Sequence, residues 1–340
     1  MPVKRLSGLM GAALWWALAT GCGEPAPTPE PDAPAGWAPA FDATDAGWLM
    51  NVSAPPGGPL LAVGGRFDQG AMYQRRADGW ALVSFTEAVP LLNWSHGFGP
   101  DDVWVVGNEG TVLHGDGVQW RRVPVPTDQD LWGIWGAAPD DLWAVGGRGR
   151  QAGDATLLHF DGREWTGVQV PPLQRDRVAA FYKVWGSAHD DVWVVGQKGA
   201  VLHWDGTAWT EHFVGISDDL ISVWGAGRER VIVVGGRSNG VVARWDGQAW
   251  TSRELAPLPG LNGVWMRTPS VAHVVGIEGT LAVLDVDTLT AHPVPATTRL
   301  TFHSVFGDAS GNLTAVGGNL GALADAYQGL AWTRPLGPNE

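Results

Sequence analysis

Short apolar runs alternate with turn signals from about residue 46 to the C-terminus. The clearest case is Leu131–Val170, where Leu131–Gly136, Leu142–Val145, Thr156–Phe160 and Glu164–Val170 each have the length and the Trp, Val, Ile and Leu content of a strand. Pro139-Asp140-Asp141, a Gly-rich loop from Gly146, and Asp161-Gly162 separate them. Asp-Gly between apolar runs is a strong hairpin signal, because Gly tolerates positive φ. No long stretch carries a 3.6-residue apolar period, so the pattern predicts four antiparallel strands, A to D, and no helices.

The unit repeats. Gly64, Gly107, Gly146, Gly196, Gly235, Gly276 and Gly317 each end a strand B, spaced 39 to 50 residues apart. Four strands at that period are the signature of a β-propeller. The expectation is an all-β fold, a single seven-bladed ring of four-stranded antiparallel blades. The blades fall at about 46–85, 91–125, 131–170, 181–214, 220–255, 261–295 and 302–336, within a domain covering 36–340. Trp135, Trp185, Trp224 and Trp265 end strand A, with Phe306 in the last unit. Trp104, Trp143 and Trp193 sit in strand B. Trp80, Trp120, Trp165, Trp209, Trp250 and Trp332 are expected to open strand D. A buried aromatic removes about 150–250 Å² from water, so recurrence at fixed positions points to packing between blades. Gly36–Phe41 is a stray strand-D sequence, like Gly79–Phe85. It either begins an outer strand that locks the last blade or packs elsewhere.

The pattern V-W-G…D-D-V-W-V-V-G…G-x-V-L-H-W-D-G-x-x-W, as in Val184–Trp209, resembles the Trp-rich β-propeller repeats of bacterial secreted proteins and lipoproteins. It is more distantly similar to Asp-box (BNR), kelch and tectonin repeats. The likeness covers about Ala46 to Leu336 and implies a scaffold, not an activity. It departs from an Asp-box: His114, His159 and His203 stand two residues before Asp116, Asp161 and Asp205, and the kelch Gly-Gly doublet occurs in only some units. Unit 1 has Pro55-Pro56-Gly57-Gly58 in place of the Asp-Asp turn, and unit 6 has lost its Asp-Gly and strand-D Trp.

Lys4 and Arg5 precede an apolar run, Leu6–Ala19, too short to span a membrane comfortably and read as an export signal. Leu18-Ala19-Thr20-Gly21-Cys22 resembles a lipobox, and Cys22 is the only Cys of the chain. The resemblance implies a signal peptide over 1–21 and lipidation of Cys22. The linker over 22–35 includes Glu24–Ala35, which has five Pro in twelve residues and reads as an extended tether. The expected address is that of an exported bacterial lipoprotein, at the outer membrane or cell surface, with a periplasm-facing placement left open.

A formal charge of −13 over 340 residues argues against nucleic acid, where phosphate neutralisation supplies most of the affinity. No zinc, EF-hand or phosphate-loop motif is present, and no metal or cofactor is expected. Gly236-Arg237-Ser238-Asn239-Gly240 matches G-x-S-x-G, but on a strand B–C loop rather than a strand-to-helix elbow. The pairs Asp101-Asp102, Asp140-Asp141 and Asp190-Asp191 read as turn residues that cap their own backbone. One pattern points to ligand binding. Gly-Gly-Arg follows strand B in alternate units, placing Arg66, Arg148 and Arg237 in B–C loops. D–A loops, on the same face, add Arg175, Arg177 and Arg299. Arg suits carboxylate or phosphate.

The function expected is a non-enzymatic, membrane-anchored monomer that binds an envelope glycan, an anionic polymer or a protein. The alternative is a glycosidase or lyase acting on extracellular polysaccharide. It would need two carboxylates about 5–9.5 Å apart, with Asp128, Asp130, Asp176, Asp218 and Asp219 as candidates.

Overall fold

The computed structural model describes residues 36–148, 154–175, 177–320 and 327–337. The segments expected to be a signal peptide and a tether, with Cys22, lie outside the described residues, as does Asp176. The chain forms seven four-stranded antiparallel sheets arranged as the blades of one propeller. Blade 3 shows the plan: Leu131–Ala138 (A), Asp141–Gly146 (B), Thr156–Phe160 (C) and Trp165–Gly167 (D). No α-helix occurs among the described residues, only two short 3-10 turns. First strands of neighbouring blades pack against one another around the centre.

The ring is closed by its two ends. Blade 7 takes strands A, B and C from Thr301–Gly307, Asn312–Gly318 and Gly329–Pro335, and strand D from Ala38–Pro39 near the N-terminus. Ala38 faces Thr333, Pro39 faces Trp332, and the Ala40 N–H donates to the Ala331 carbonyl at 2.8 Å. The stray Gly36–Phe41 sequence is therefore the locking strand. This corrects the expectation for Trp332: it lies in strand C, opposite Ala315, and is fully buried. Trp37 takes the strand-D position in its place.

The core is divided among the blade interfaces, where the repeated Trp residues sit. At about 25 cal/mol per Å², each fully buried indole contributes up to about 4–6 kcal/mol of transfer free energy. The C–D turns follow the expected chemistry. Asp161 Oδ1 accepts the backbone N–H groups of Arg163 and Glu164 at 3.0 Å each, and Gly162 has φ +86°. A Cβ there would lie 2.7 Å from Asp140 Cβ, and one on Gly117, Gly206 or Gly247 would lie similarly close to Pro100, Asp190 or Glu229, so the hairpins of blades 2 to 5 tuck against the A–B turns of their own blades. These bonds hold the Asp161 carboxyl below its usual range.

The Asp pairs correct a second expectation. Their second members do not simply cap the turn. Asp102, Asp141 and Asp191 each accept a bond from a strand-C histidine Nε2: His114 at 2.7 Å, His159 at 2.8 Å and His203 at 2.7 Å. Each histidine packs on the strand-B Trp of its blade, with ring centroids 4.0–4.3 Å apart. Trp104 and Trp193 also donate Nε1–H to Asp102 and Asp191. The three His therefore serve three separate blades. Among the described residues, no group of three or more His, Cys, Asp or Glu is placed to hold a metal ion.

Candidate functional site

The B–C connections and the D–A loops lie on one face, opposite the A–B and C–D turns. On this face the blades alternate. Blades 2, 4 and 6 make tight turns that hold Glu109, Lys198 and Glu278 in the left-handed region, at φ 54°, 57° and 54°. Blades 1, 3 and 5 carry the Gly-Gly-Arg sequences, which the fold uses in three different ways.

In blade 1 the extra residues lengthen the hairpin itself. Leu61–Arg66 and Gln69–Arg76 stay paired as far as Arg66 and Gln69, leaving Phe67 and Asp68 at the tip. Phe67 is 51 % exposed. Its ring stands edge-on to Trp48, centroids 5.1 Å apart, and 6.2 Å from Tyr327. Trp48 is buried, packs on Tyr327 at 4.8 Å, and donates Nε1–H to Asn319 Oδ1 at 2.8 Å. The Arg66 guanidinium lies over the Tyr327 ring, 5.6 Å from its centre. Beneath them, Trp48, Met50 and Leu91 form an apolar cluster with Trp132, Leu320 and Tyr327.

In blade 3, Arg148 is exposed and anchored through its backbone, its N–H donating to the Ala179 carbonyl at 3.1 Å. Its neighbour Gly147 accepts Trp132 Nε1–H at 3.2 Å. Neither Arg66 nor Arg148 has an ion pair among the described residues. In blade 5, Arg237 is already neutralised. Its Nε and Nη2 donate to Asp219 Oδ2 at 2.9 and 2.7 Å, and Nη2 also donates to the Tyr182 hydroxyl at 3.1 Å. Burial works against the Arg237 charge, but Asp219 and Tyr182 outweigh it and raise its pKa.

The D–A arginines also differ. Arg175 folds back onto blade 4, donating to the Lys198 carbonyl and lying 4.9 Å over the Phe213 ring, with Glu211 4.0 Å from its Nε. Arg177 is exposed at φ 64°, and Arg299 is exposed. Among the acidic residues weighed for catalysis, Asp219 is held by Arg237 and by the Lys198 N–H at 2.9 Å. Asp130 accepts the Glu109 N–H at 3.1 Å, and burial raises its pKa.

Below the apolar cluster the centre is packed with polar groups. The residue just past the first register shift of each strand A is Asn51, Trp94, Gly133, Lys183, Ser222, Gly263 or Ser304. Asn51 takes bonds from the Ser95 N–H and Oγ and gives one to Ser304 Oγ at 3.2 Å, linking blades 2, 1 and 7. Lys183 is buried. Gly133, lacking a side chain, lets it cross blade 3, so that Nζ donates to the Trp132 carbonyl at 2.8 Å and sits 3.8 Å over the Trp94 ring. Burial lowers the Lys183 pKa to about 7. His303, whose Nδ1 pairs with the Met50 carbonyl at 2.7 Å, is pushed down to about 3 by burial and then by the Lys183 charge.

Sequence reasoning missed Phe67, Trp48 and Tyr327. Each occurs outside the repeat pattern, and only the long B–C span of unit 1 pointed toward Phe67. The Lys183 position carried no signal at all.

No protein-family model matches the chain, and no curated protein matches it. Solved propellers do. A structure described as YCF48 bound to D1 peptide is 16 % identical, with a TM-score of 0.64, covering 90 % of this chain and 100 % of that one. YCF48 from Cyanidioschyzon merolae is 13 % identical, with a TM-score of 0.67 and the same coverage. The WD40 β-propeller domain of Doa1 is 9 % identical, with a TM-score of 0.66, covering 89 % of this chain and 97 % of that one. At these identities the likeness establishes the seven-bladed propeller fold.

Proposed function

We propose that this protein is a non-enzymatic interaction scaffold whose B–C/D–A face captures a protein partner, with lipidated Cys22 holding it to a bacterial envelope membrane. One observation carries the reading. Phe67 projects half exposed from a hairpin tip, on a bed formed by Trp48 and Tyr327, with Arg66 beside it. Aromatic and Arg side chains on a rigid, dry support are the usual energetic centre of a protein interface. Arg148 supplies a second cation with no ion pair among the described residues on the same face, so the partner surface is expected to be apolar at its middle and acidic at its edge. That a YCF48 propeller was solved with a D1 peptide supports a protein segment as the ligand class here. The resemblance of the repeats to those of bacterial secreted proteins and lipoproteins supports the envelope address. Asp219, one of the carboxylates weighed for the glycosidase alternative, is tied to Arg237.

The test is quantitative capture of envelope proteins by the full chain and by the Phe67→Ala/Arg66→Ala/Arg148→Ala variant, beside Arg163→Ala on the opposite face. A partner whose affinity falls by at least about tenfold, or 1.4 kcal/mol, only in the triple variant supports the reading. Equal capture by all three overturns it. A glycan-array signal lost in the triple variant would instead assign the face to sugars. Release from the membrane fraction on Cys22→Ala tests the anchor separately.

A further inference from the structure

A second surface lies on the opposite face, between blades 1 and 2. It is a groove with a volume of about 370 Å³, walled by Pro55, Pro59, Pro100, Leu82, Val118 and Trp120. The described residues expose four large apolar side chains, and two of them, Leu82 at 59 % and Val118 at 85 %, flank this one groove. Unit 1's departure from the repeat builds it. Where blades 2, 3 and 4 turn on Asp-Asp, blade 1 has Ala54–Leu60, with two consecutive prolines. That loop leans on blade 2: a Cβ on Gly97 would lie 2.7 Å from Pro55 Cβ, and one on Gly58 3.3 Å from Pro100 Cα. A rigid wall of proline rings facing an indole suits a polyproline II strand, whose own rings pack on aromatics and whose carbonyls stay free to accept bonds. Gln74, Ser84 and Arg76 line the groove as donors.

We propose that this groove receives the chain's own segment 24–35. The segment, EPAPTPEPDAPA, has five Pro, three carboxylates (Glu24, Glu30 and Asp32) and no cation. The groove presents Arg76 with Arg75 next to it, both exposed. Connectivity places the two close together. Ala38 faces Thr333, and the strand-C end beyond Thr333 runs to Leu336, whose N–H bonds the Gly311 carbonyl of the A–B turn. Gly36 therefore lies on the A–B/C–D face of blade 7, beside blade 1. Phe41 already rests on Tyr73 and Trp80 of blade 1, with centroids 5.0 Å from each. Twelve residues at about 3.1 Å each reach roughly 37 Å, enough to cross the turns of blade 1. The inference is independent of the proposed partner. If both hold, docking would keep the tether on one face and leave the Phe67 face outward.

The experiment places the photo-crosslinker p-benzoylphenylalanine at Thr28 in the full chain and maps adducts by mass spectrometry. The expected result is adducts within one molecule on peptides spanning 55–61, 82–84 and 117–120, reduced about tenfold, equivalent to 1.4 kcal/mol, in Leu82→Glu/Val118→Glu. Both side chains are exposed, so unchanged thermal melting of this variant confirms that folding is not what was lost. Adducts scattered over other blades, adducts indifferent to the variant, or the absence of any groove adduct would each overturn the proposal. Adducts formed only between molecules would assign the groove to a second copy.

Discussion

The rim of the Trp185 indole in blade 4 fills the space that a Cβ on Gly225 of blade 5 would need. The relationship recurs around the ring. A Cβ on Gly186 would lie 2.6 Å from Trp135 Cη2, and one on Gly136 would lie 2.6 Å from Phe98 Cζ. Trp and Gly are adjacent in sequence, but each Trp serves the Gly of the next blade. Blade 6 holds Met266 at this position, and Trp224 of blade 5 packs toward Phe306 of blade 7, with centroids 6.3 Å apart. Gly186→Ala should therefore destabilise by about 1–3 kcal/mol through overpacking. Adding Trp135→Leu should recover part of that loss, with a coupling of about 0.5–3 kcal/mol in urea unfolding. Additive losses would show that the two residues do not press on one another.

Asp191 is the most buried of the three histidine-bonded aspartates, with its side chain 3 % exposed. It accepts from His203, from Trp193 Nε1 at 3.2 Å and from Ser187 Oγ. Burial pushes its pKa up, but the His203 and Ser187 bonds prevail and leave it lowered. A lowered carboxylate contributes stability that is complete above the unfolded Asp value, near 3.9, and is lost as pH falls through the folded value. Asp191→Asn should cost about 1.5–3 kcal/mol at pH 7, and its deficit should shrink as the pH falls below about 4. A deficit that stays constant to pH 2 would remove the charge from the account. Trp193→Phe and Trp143→Phe provide a control. Trp193 loses a bond to Asp191, whereas Trp143 Nε1 has no hydrogen-bond partner among the described residues, so the first change should cost more.

The seven blades were legible in the sequence because each pays out the same apolar and turn signals at a nearly constant period. The closure was not. Ala-Trp-Thr occurs at Ala208–Thr210, Ala249–Thr251 and Ala331–Thr333. It opens strand D in blades 4 and 5 but lies within strand C of blade 7. Local sequence cannot separate these cases; pairing with Ala315 and the arrival of Trp37 from the other end of the chain decide them. The Arg face was legible as positions but not as chemistry. The partner that neutralises Arg237 is Asp219 of a D–A loop, and the platform beneath Arg66 is Tyr327 of blade 7. Both are tertiary meetings without a repeat signature.

Trp37 and the two-residue strand behind it hold the ring shut. Trp37 is buried against blade 7, beneath the Arg334 guanidinium at 5.4 Å. Trp37→Ala should cost about 3–5 kcal/mol. Amide exchange should rise first in Gly329–Pro335, the strand left at the edge, before it rises in blades 3 and 4. A uniform rise across all blades would mean that closure is not a local event.

Lys183 sets the final prediction, because the forces on it oppose one another. The Trp94 face and the Trp132 carbonyl favour the ammonium, whereas burial without a carboxylate favours the free amine and lowers the pKa to about 7. A cation–π contact is worth about 2 kcal/mol when desolvated, against several kcal/mol for taking the charge out of water. Between about pH 7 and 10.5 the unfolded chain binds a proton that the folded chain does not, so stability should rise with pH across that window. Lys183→Met removes the dependence. It should stabilise the protein by about 1–4 kcal/mol at pH 7, with the gain fading toward pH 10.5. Chemical unfolding of both chains at pH 6, 8 and 10 reads the slope directly. A Met variant that is less stable at every pH would show that the indole and the carbonyl hold a charged lysine at the centre of the ring.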